Sequence, residues 1–492
     1  MKKQNNKFNN KNCNNDMSFE ECELALLRNA VDETENIQGK ELVSNEEVMK
    51  MLDIVEQFII NKKLICYGGT AINNILPVYD QFYKKDVEIP DYDFFSSNAL
   101  EDAKELANIY YESGYNDVEA KAGVHMGTFK VYVNYIPVAD ITFMHVGLFD
   151  KMLKDSIKIA GIHYCPPDYL RMAMYLELSR PKGDVSRWEK VLKRLNLLNK
   201  HFPMKVDSRC KSLKSDKKLD TQHYPIIRNT LINNQAVFFG GFAATVYSKF
   251  DQPSKKNTAM TGPNFDVLYE NPTKLALIIE EELERHQITN VKKIEYNAIG
   301  ELIPSHIELQ INGESCLFIY KPIACHNYNK VTYLNQQINI ATIDTILSFY
   351  LAFYYSDLLQ YDNNKLLCTA TFLAKILEKN KLDNSGIMKR YSLDCIGSQP
   401  TLKSMRAEKA NKFRELKNNR LSSEYEMWFL NYSPFKQDDK IINSKEKILK
   451  SQESTPSKSK TKKKLTKQNK SRTSRTTNKK TTNILDRLFK KK

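Results

Sequence analysis

The sequence predicts a mixed α/β (α+β) fold in which one strand–helix–sheet unit occurs twice, each copy followed by helices. Three observations predict it. A short apolar strand runs into a double glycine and a helix at 64–72 (Gly68-Gly69) and again at 236–244 (Gly240-Gly241). Asp91-Tyr92-Asp93-Phe94-Phe95 finds its counterpart in Asn264-Phe265-Asp266-Val267-Leu268, and the helix opening at Asp168 finds one at Asp344. The offsets between the copies are 172, 173 and 176 residues, which is the ordered near-constant spacing of a tandem duplication.

Composition supports a folded chain. Of 492 residues, 41% are apolar, 10% aromatic and 27% charged, the balance of a packed protein rather than a disordered or collagenous one. No apolar run reaches bilayer length, so no membrane partner is expected, and Met1-Lys2-Lys3-Gln4-Asn5-Asn6 lacks the apolar stretch of a secretory signal. Nine scattered cysteines without a Cys-x-x-Cys pair predict reduced thiols in a cytosol-like compartment. The net charge of +15 is localised: residues 436–492 hold 20 basic and 5 acidic side chains, leaving 54 of each before them. A neutral body therefore carries a basic tail, and any groove for nucleic acid has to arise from local clustering.

The elements follow in order. The Asn-rich start, to about Asn15, has nothing to bury and is expected to be disordered. From 45 to 61, Val48, Met51, Leu52, Val55, Phe58 and Ile59 recur at threes and fours, an amphipathic helix. A strand at 64–67 ends in the double glycine, and Thr70 opens a helix. A strand at 89–95 and a helix at 100–111 come next. Residues 129–135 alternate and turn at Pro137 into a strand over 138–144, a hairpin. Residues 166–201 read as helical, and 209–220, dense in Lys and Ser, as a linker. After the second double glycine come a helix at 274–286, strands at 306–311 and 316–320, and a helix opening at Asp344. The aromatics Phe349, Tyr350, Phe353, Tyr354 and Tyr355 lie at helical spacing and are expected in the core.

The chemistry concentrates in the first copy. Asp91 and Asp93, two apart on the expected strand, leave one face while Tyr92 and Phe94 point inward. Carboxylates that close repel each other unless a cation intervenes, and a hard ion such as Mg²⁺ accepts one or two carboxylates plus substrate phosphates. Asp140 is the lone ionisable group in the strand Val138-Ala139-Asp140-Ile141-Thr142, where burial alone is a poor explanation for a carboxylate. Gly68 and Gly69 let the backbone approach a phosphate, the free N–H groups of the following helix present a positive dipole end, and Thr70 adds a hydroxyl. One part suits a triphosphate, and three acids suit two metals, which is the equipment of nucleotidyl transfer.

Tyr67-Gly68-Gly69-Thr70-Ala71, Pro90-Asp91-Tyr92-Asp93-Phe94-Phe95 and Ala139-Asp140-Ile141-Thr142 resemble the signature of the polymerase-beta-type nucleotidyltransferase superfamily. Within it the arrangement resembles the poly(A) polymerase catalytic subunits of giant DNA viruses, which are distantly related to those of poxviruses. The gap of 22 positions from Gly69 to Asp91 is longer than the family's spacer, which places an extra loop at 79–88. The resemblance implies polyadenylation: an RNA 3′-hydroxyl attacks the α-phosphate of ATP and pyrophosphate leaves. It implies Asp91, Asp93 and Asp140 as catalytic and metal-holding residues for two Mg²⁺ or Mn²⁺ ions, and Gly68, Gly69 and Thr70 as nucleotide-binding residues. It implies ATP and an RNA 3′ end as partners, allows a homodimer, and suggests an infected host cell's cytosol-like compartment with packaging in the virion.

The implied organisation is an N-terminal extension over 1–45, a catalytic domain over 46–150, a helical region and linker over 151–220, a degenerate nucleotidyltransferase-like domain over 221–330, a C-terminal helical region over 331–435 and the tail over 436–492. The second copy is expected to be catalytically dead, since Phe242 replaces Thr70, Asn264 replaces Asp91 and Phe318 replaces Asp140, leaving Asp266 alone. Arg171, Arg180, Lys190 and Arg194 are candidates for triphosphate or RNA contacts, as is the basic tail for RNA. Two alternatives stay open: a transferase with another nucleotide or acceptor, such as a second-messenger synthase, and a catalytically silent RNA-binding subunit.

Overall fold

The computed structural model of the chain describes residues 17–83, 89–204, 222–251, 264–300, 302–356, 360–380 and 382–435, with Cys13, Cys210 and Leu358. Residues 1–434 form one compact unit; of the second, 435–492, only Phe435 is described. The expected linker lies outside the described residues apart from Cys210, as do most of the Asn-rich start and the tail after Phe435.

In chain order the strands are β1 (Ile65–Cys66), β2 (Asp93–Ser96), β3 (Val118–Ala122), β4 (Thr128–Val133), β5 (Ile136–Phe143), β6 (Ile157–Ile159), β7 (Ile162–Tyr164), β8 (Val237–Phe238), β9 (Phe265–Leu268), β10 (Val291–Tyr296), β11 (His306–Ile311), β12 (Glu314–Tyr320), β13 (His326–Tyr333), β14 (Gln336–Ala341), β15 (Cys395–Ile396) and β16 (Asn431–Tyr432). They form two eight-stranded sheets, ordered β16-β3-β4-β5-β2-β1-β7-β6 and β10-β11-β12-β9-β8-β14-β13-β15. Apart from β16 and β15, each strand of the first sheet has a counterpart at the same place in the second. The senses agree too. β2 and β5 run parallel, as do β9 and β12, while β1 is antiparallel to β2, as β8 is to β9.

The agreement extends to irregularities. The register of β4 against β5 shifts between Val131 and Tyr132, and that of β11 against β12 shifts between Leu309 and Gln310. A bulge inserts one residue and re-aims every side chain beyond it, so two bulges at one position mark one ancestral design. The hairpin turns Asn134-Tyr135, Ala160-Gly161, Asn312-Gly313 and Leu334-Asn335 all hold both residues at positive φ, the turn that matches strand twist.

The helices bear out the periodicity. Glu46–Lys62 starts where the Asn45 side chain accepts bonds from the Glu47 and Val48 amides, ends at left-handed Lys63, and buries Val48, Met51, Leu52, Val55, Phe58 and Ile59. Each such side chain contributes about 1.5–3 kcal/mol of burial. Pro167–Leu178, after the first sheet, packs along Ile343–Ser356, after the second, with Tyr169 edge-on to Tyr355 at 5.5 Å. Phe349, Tyr350, Phe353 and Tyr355 are buried there, as core residues should be. Among the described residues, no helix is long and apolar enough to cross a membrane.

Three expectations need correction. The β2 strand begins at Asp93, not at 89, so Asp91 precedes it. The first sheet continues through β6 and β7 and the second through β13 and β14, so the expected boundaries at 150 and 330 cut across both sheets. Six of the nine cysteines are paired rather than reduced: Cys13–Cys22, Cys210–Cys368 and Cys325–Cys395 are disulfides, and Cys66, Cys165 and Cys316 are buried thiols. Two of the pairs join partners 158 and 70 residues apart, which leave no local spacing to read, and Cys13 and Cys22, nine apart, form no Cys-x-x-Cys motif.

Candidate active site

The site assembles where β1 ends, β2 begins and β5 passes. Asp93 and Asp140 are register partners on parallel neighbours β2 and β5, which puts their side chains on one face. The Asp140 amide donates to the Tyr92 carbonyl at 3.0 Å, so Asp91 lies immediately beside the pair. Tyr92 and Phe94 are buried on the opposite face, as their alternation requires.

The double glycine is more tightly used than its sequence suggests. The helix starts at Gly68 rather than Thr70 and runs Gly68–Ile75, with no side-chain cap from Tyr67, leaving its first amides facing the acids' end of the sheet. Gly68 has φ +73, and a Cβ there would stand 2.7 Å from an Asp93 carboxylate oxygen. Any other residue would meet both backbone strain and that carboxylate. Thr70, expected at the phosphates, instead donates its hydroxyl to the Asp91 carbonyl at 2.7 Å. Its buried position makes it a brace for Asp91. The Tyr67 amide adds a bond to the Asp93 carbonyl at 2.9 Å, and the Tyr67 hydroxyl pairs with Thr142 at 2.9 Å.

The electrostatics follow from this crowding. Burial, then the charges of Asp91 and Asp140, push the Asp93 carboxyl up to about 7, against the opposing pull of Lys130 and Arg187. Asp91 is raised as well, by burial and then by Asp140. Lys130 is a site residue that sequence reasoning missed: its ammonium pairs with Asp140 across β4 and β5. Burial opposes the charged lysine, yet the hydrogen bond and charge of Asp140 hold its pKa above the ordinary value. Without the bulge at Val131, the hairpin would set Lys130 opposite Ala139, so alternation alone could not find it.

Arg194 is the second cation. A Cβ on Gly69 would fall onto the Tyr83 hydroxyl and come within 2.9 Å of the Arg194 guanidinium. Arg194 donates to the Tyr83 hydroxyl at 2.9 Å and lies 4.5 Å from the Phe82 ring. The described part of the expected extra loop, 79–83, is held by the Asn73 side chain, which accepts from the Phe82 and Tyr83 amides, and by Asp80 on Lys200 and His201. Arg171, by contrast, is buried and bonded to Asp168, Asn199 and the Phe202 carbonyl, which makes it structural.

A divalent cation fits the donor set by its chemistry: the carboxylates offer hard oxygen donors, and Asp91 and Asp93 are both raised, first by burial and then by the neighbouring negative charge, the sign of carboxylates short of a counter-ion. As they stand, no three His, Cys, Asp or Glu side chains among the described residues are close enough to hold a metal ion, and the Lys130 ammonium already takes one Asp140 oxygen.

The second sheet shows the same stations with other occupants. Asp266 faces Phe318 where Asp93 faces Asp140, and Glu308 faces Phe318 where Lys130 faces Asp140. The Phe239 amide bonds the Asp266 carbonyl, as Tyr67 does Asp93. Asp266 is buried and accepts the Tyr361 hydroxyl; burial lifts its carboxyl to about 6. Phe242, Phe265, Phe318 and Tyr361 fill the surroundings with rings. Asp266 and Glu308, on either side of the Phe318 ring and each accepting a tyrosine hydroxyl, from Tyr361 and Tyr296, do not reproduce the three-acid arrangement of the first sheet.

Residues 53–184 match the family described as poly(A) polymerase catalytic subunit. Over 166 residues the chain is 37% identical to a protein of African swine fever virus named by inference as a poly(A) polymerase catalytic subunit, covering 32% of this chain and 34% of that one. A protein of the same name from Acanthamoeba polyphaga mimivirus is 31% identical over 171 residues, 32% of this chain and 27% of its own. The matched stretch thus spans about a third of the length of these relatives. The crystal structure of the Megavirus polyadenylate synthase superposes with a TM-score of 0.74 at 18% identity, covering 92% of each chain. The resemblance to giant-virus poly(A) polymerases read from the motifs is borne out, and the fold is shared well beyond the matched sequence.

Proposed function

We propose that the chain is a polynucleotide adenylyltransferase, a poly(A) polymerase that adds AMP from ATP to RNA 3′ ends. The observation that carries this reading is the pairing of Asp93 with Asp140 beside Asp91 and the uncapped Gly68 helix, an arrangement dismantled at the equivalent stations of the second sheet.

In this reading the Gly68 and Gly69 amides and the Arg194 guanidinium receive the triphosphate, since backbone N–H groups and a planar cation both match phosphate oxygens. Asp91, Asp93 and Asp140 would hold two Mg²⁺ or Mn²⁺ ions, which when bound supply charge that favours the attacking and leaving oxygens. Thr70 fixes the Asp91 backbone. Lys130 tempers the negative charge of Asp140 and opposes the upward shifts of Asp91 and Asp93. Asp266 and its aromatic surroundings support the fold. A homodimer, a cytosol-like compartment of an infected cell and packaging in the virion belong to this proposal on the strength of the resemblance alone.

The test is to incubate the full chain with a short RNA, Mg²⁺ or Mn²⁺, and each of the four NTPs in turn. Extension with ATP in preference to the others is expected. Extension with a different nucleotide, or a product without RNA, would favour the transferase of another specificity, and RNA binding without extension would favour the silent subunit.

A further inference from the structure

The helix Leu402–Leu416 buries none of its residues. It is nonetheless built onto the first sheet. The Lys409 ammonium donates to the Gly123 carbonyl at 2.9 Å at the end of β3, and Lys104 pairs with Glu426 in the helix that follows. β16 then adds itself to the β3 edge, with the Tyr432 hydroxyl on Asn108. A helix with this many anchors and no core of its own owes its exposed face to something other than packing.

That face is basic. Over residues 402–420 there are seven Lys or Arg and two Glu. At about 100° per residue, Lys403, Arg406, Arg414 and Lys417 fall within an arc of about 80°, while Glu408 and Glu415 lie on a different flank. All four cations are exposed, and among the described residues none has a carboxylate within ion-pairing distance; Arg414 donates only to the Asn411 amide oxygen. At 1.5 Å per residue the stripe is about 21 Å long. Phe413, 40% exposed, borders it, with the Arg420 guanidinium 5.9 Å from its ring. Unpaired cations in a row beside an exposed aromatic match a single-stranded polyanion with stackable bases.

We propose that this stripe is a docking surface for the backbone of the RNA upstream of its 3′ end. The inference rests on the polymerase reading and adds to it a place where the RNA body is held, on the unit that carries the acids.

The experiment compares the full chain with its Lys403→Gln/Arg406→Gln/Arg414→Gln/Lys417→Gln variant, so that the basic tail is common to both. Binding of a labelled single-stranded RNA of about 20 nucleotides is followed by anisotropy across a range of salt. Each lost phosphate contact should lower the log–log salt slope by about 0.7, about 3 in all, with affinity down by about 10–100-fold at low salt. Lys403→Gln/Lys417→Gln, which removes only the two ends, should give about half that slope change, which guards against misfolding of the larger variant. Unchanged affinity and slope in both variants would overturn the surface. So would loss of binding to poly-glutamate with RNA binding intact, which would assign the stripe to an acidic protein. If RNA binding by the variants is unchanged while the unaltered chain still extends RNA, the surface fails and the polymerase reading stands. Failure of the unaltered chain to bind or extend RNA sinks both.

Discussion

Asp140 stands directly across β2 and β5 from Asp93, at the register point where the second sheet sets Phe318 across from Asp266. One backbone thus presents the same station twice, once with two carboxylates and once with one carboxylate against a ring. Duplication explains the common frame, and the two copies differ in the chemistry of the occupants.

The crowding of the acids sets a pH dependence. Asp93 has a folded-state pKa of about 7, above its ordinary 3.8, first through burial and then through Asp91 and Asp140. A raised carboxyl pKa means that the folded state binds the proton more tightly. Its contribution to stability is full below about pH 4 and is lost as pH rises through about 7, by at most about 1.4 kcal/mol per pH unit. Thermal unfolding of the metal-free protein should therefore show a midpoint that falls from about pH 5 to pH 8 less steeply in Asp93→Asn than in the unaltered chain. Equal slopes would remove Asp93 as the titrating group.

Lys130→Gln should move the acid limb of the pH–rate profile. Lys130 opposes the upward shifts of Asp91 and Asp93, so its loss lets both rise further. The carboxylates then ionise later, and the limb in kcat/KM shifts to higher pH by about half a unit or more. An unmoved limb with reduced rate at all pH values would make Lys130 a substrate contact instead.

Arg194→Ala should weaken ATP binding. A guanidinium on a phosphate gives charge-assisted bonds of about 1.5–3 kcal/mol, so KM for ATP should rise about 10–100-fold with a smaller change in kcat. Steady-state kinetics at saturating RNA reads the split, and an unchanged KM would leave Arg194 as a brace for Tyr83.

How far this site was legible in the sequence differs by residue. Asp91, Asp93 and Asp140 could be read because charge is conspicuous in apolar strands, and the hydrophobic period of 46–62 dictated its helix. Lys130 could not, because a one-residue bulge decides what it faces. Arg194 could not be singled out from Arg171, since which of two helical arginines is buried depends on packing that lies far along the chain. β3 escaped notice because Val118-Glu119-Ala120-Lys121-Ala122 is short and carries only one β-branched residue. The Thr70 hydroxyl is visible in the sequence as a candidate phosphate ligand, whereas the Asp91 carbonyl that takes it is set by the fold.

Asp266→Asn tests the supporting role of the second sheet. The buried carboxyl accepts the Tyr361 hydroxyl, which an amide oxygen can still accept, so the cost should be about 1 kcal/mol of stability. AMP incorporation per folded molecule should stay within about twofold, measured beside a denaturation curve. A deep loss of activity with the fold intact would give this sheet a part in the chemistry.

The most direct measurement is transfer of α-labelled AMP from ATP to an RNA 3′ end with Mg²⁺, comparing the unaltered chain with Asp140→Asn at matched circular dichroism. Losing one acid forfeits several kcal/mol of charge stabilisation, so incorporation should fall about a thousandfold or more while RNA binding persists. Equal incorporation by the two proteins would contradict the assignment of Asp140, with Asp91 and Asp93, as the centre of adenylyl transfer.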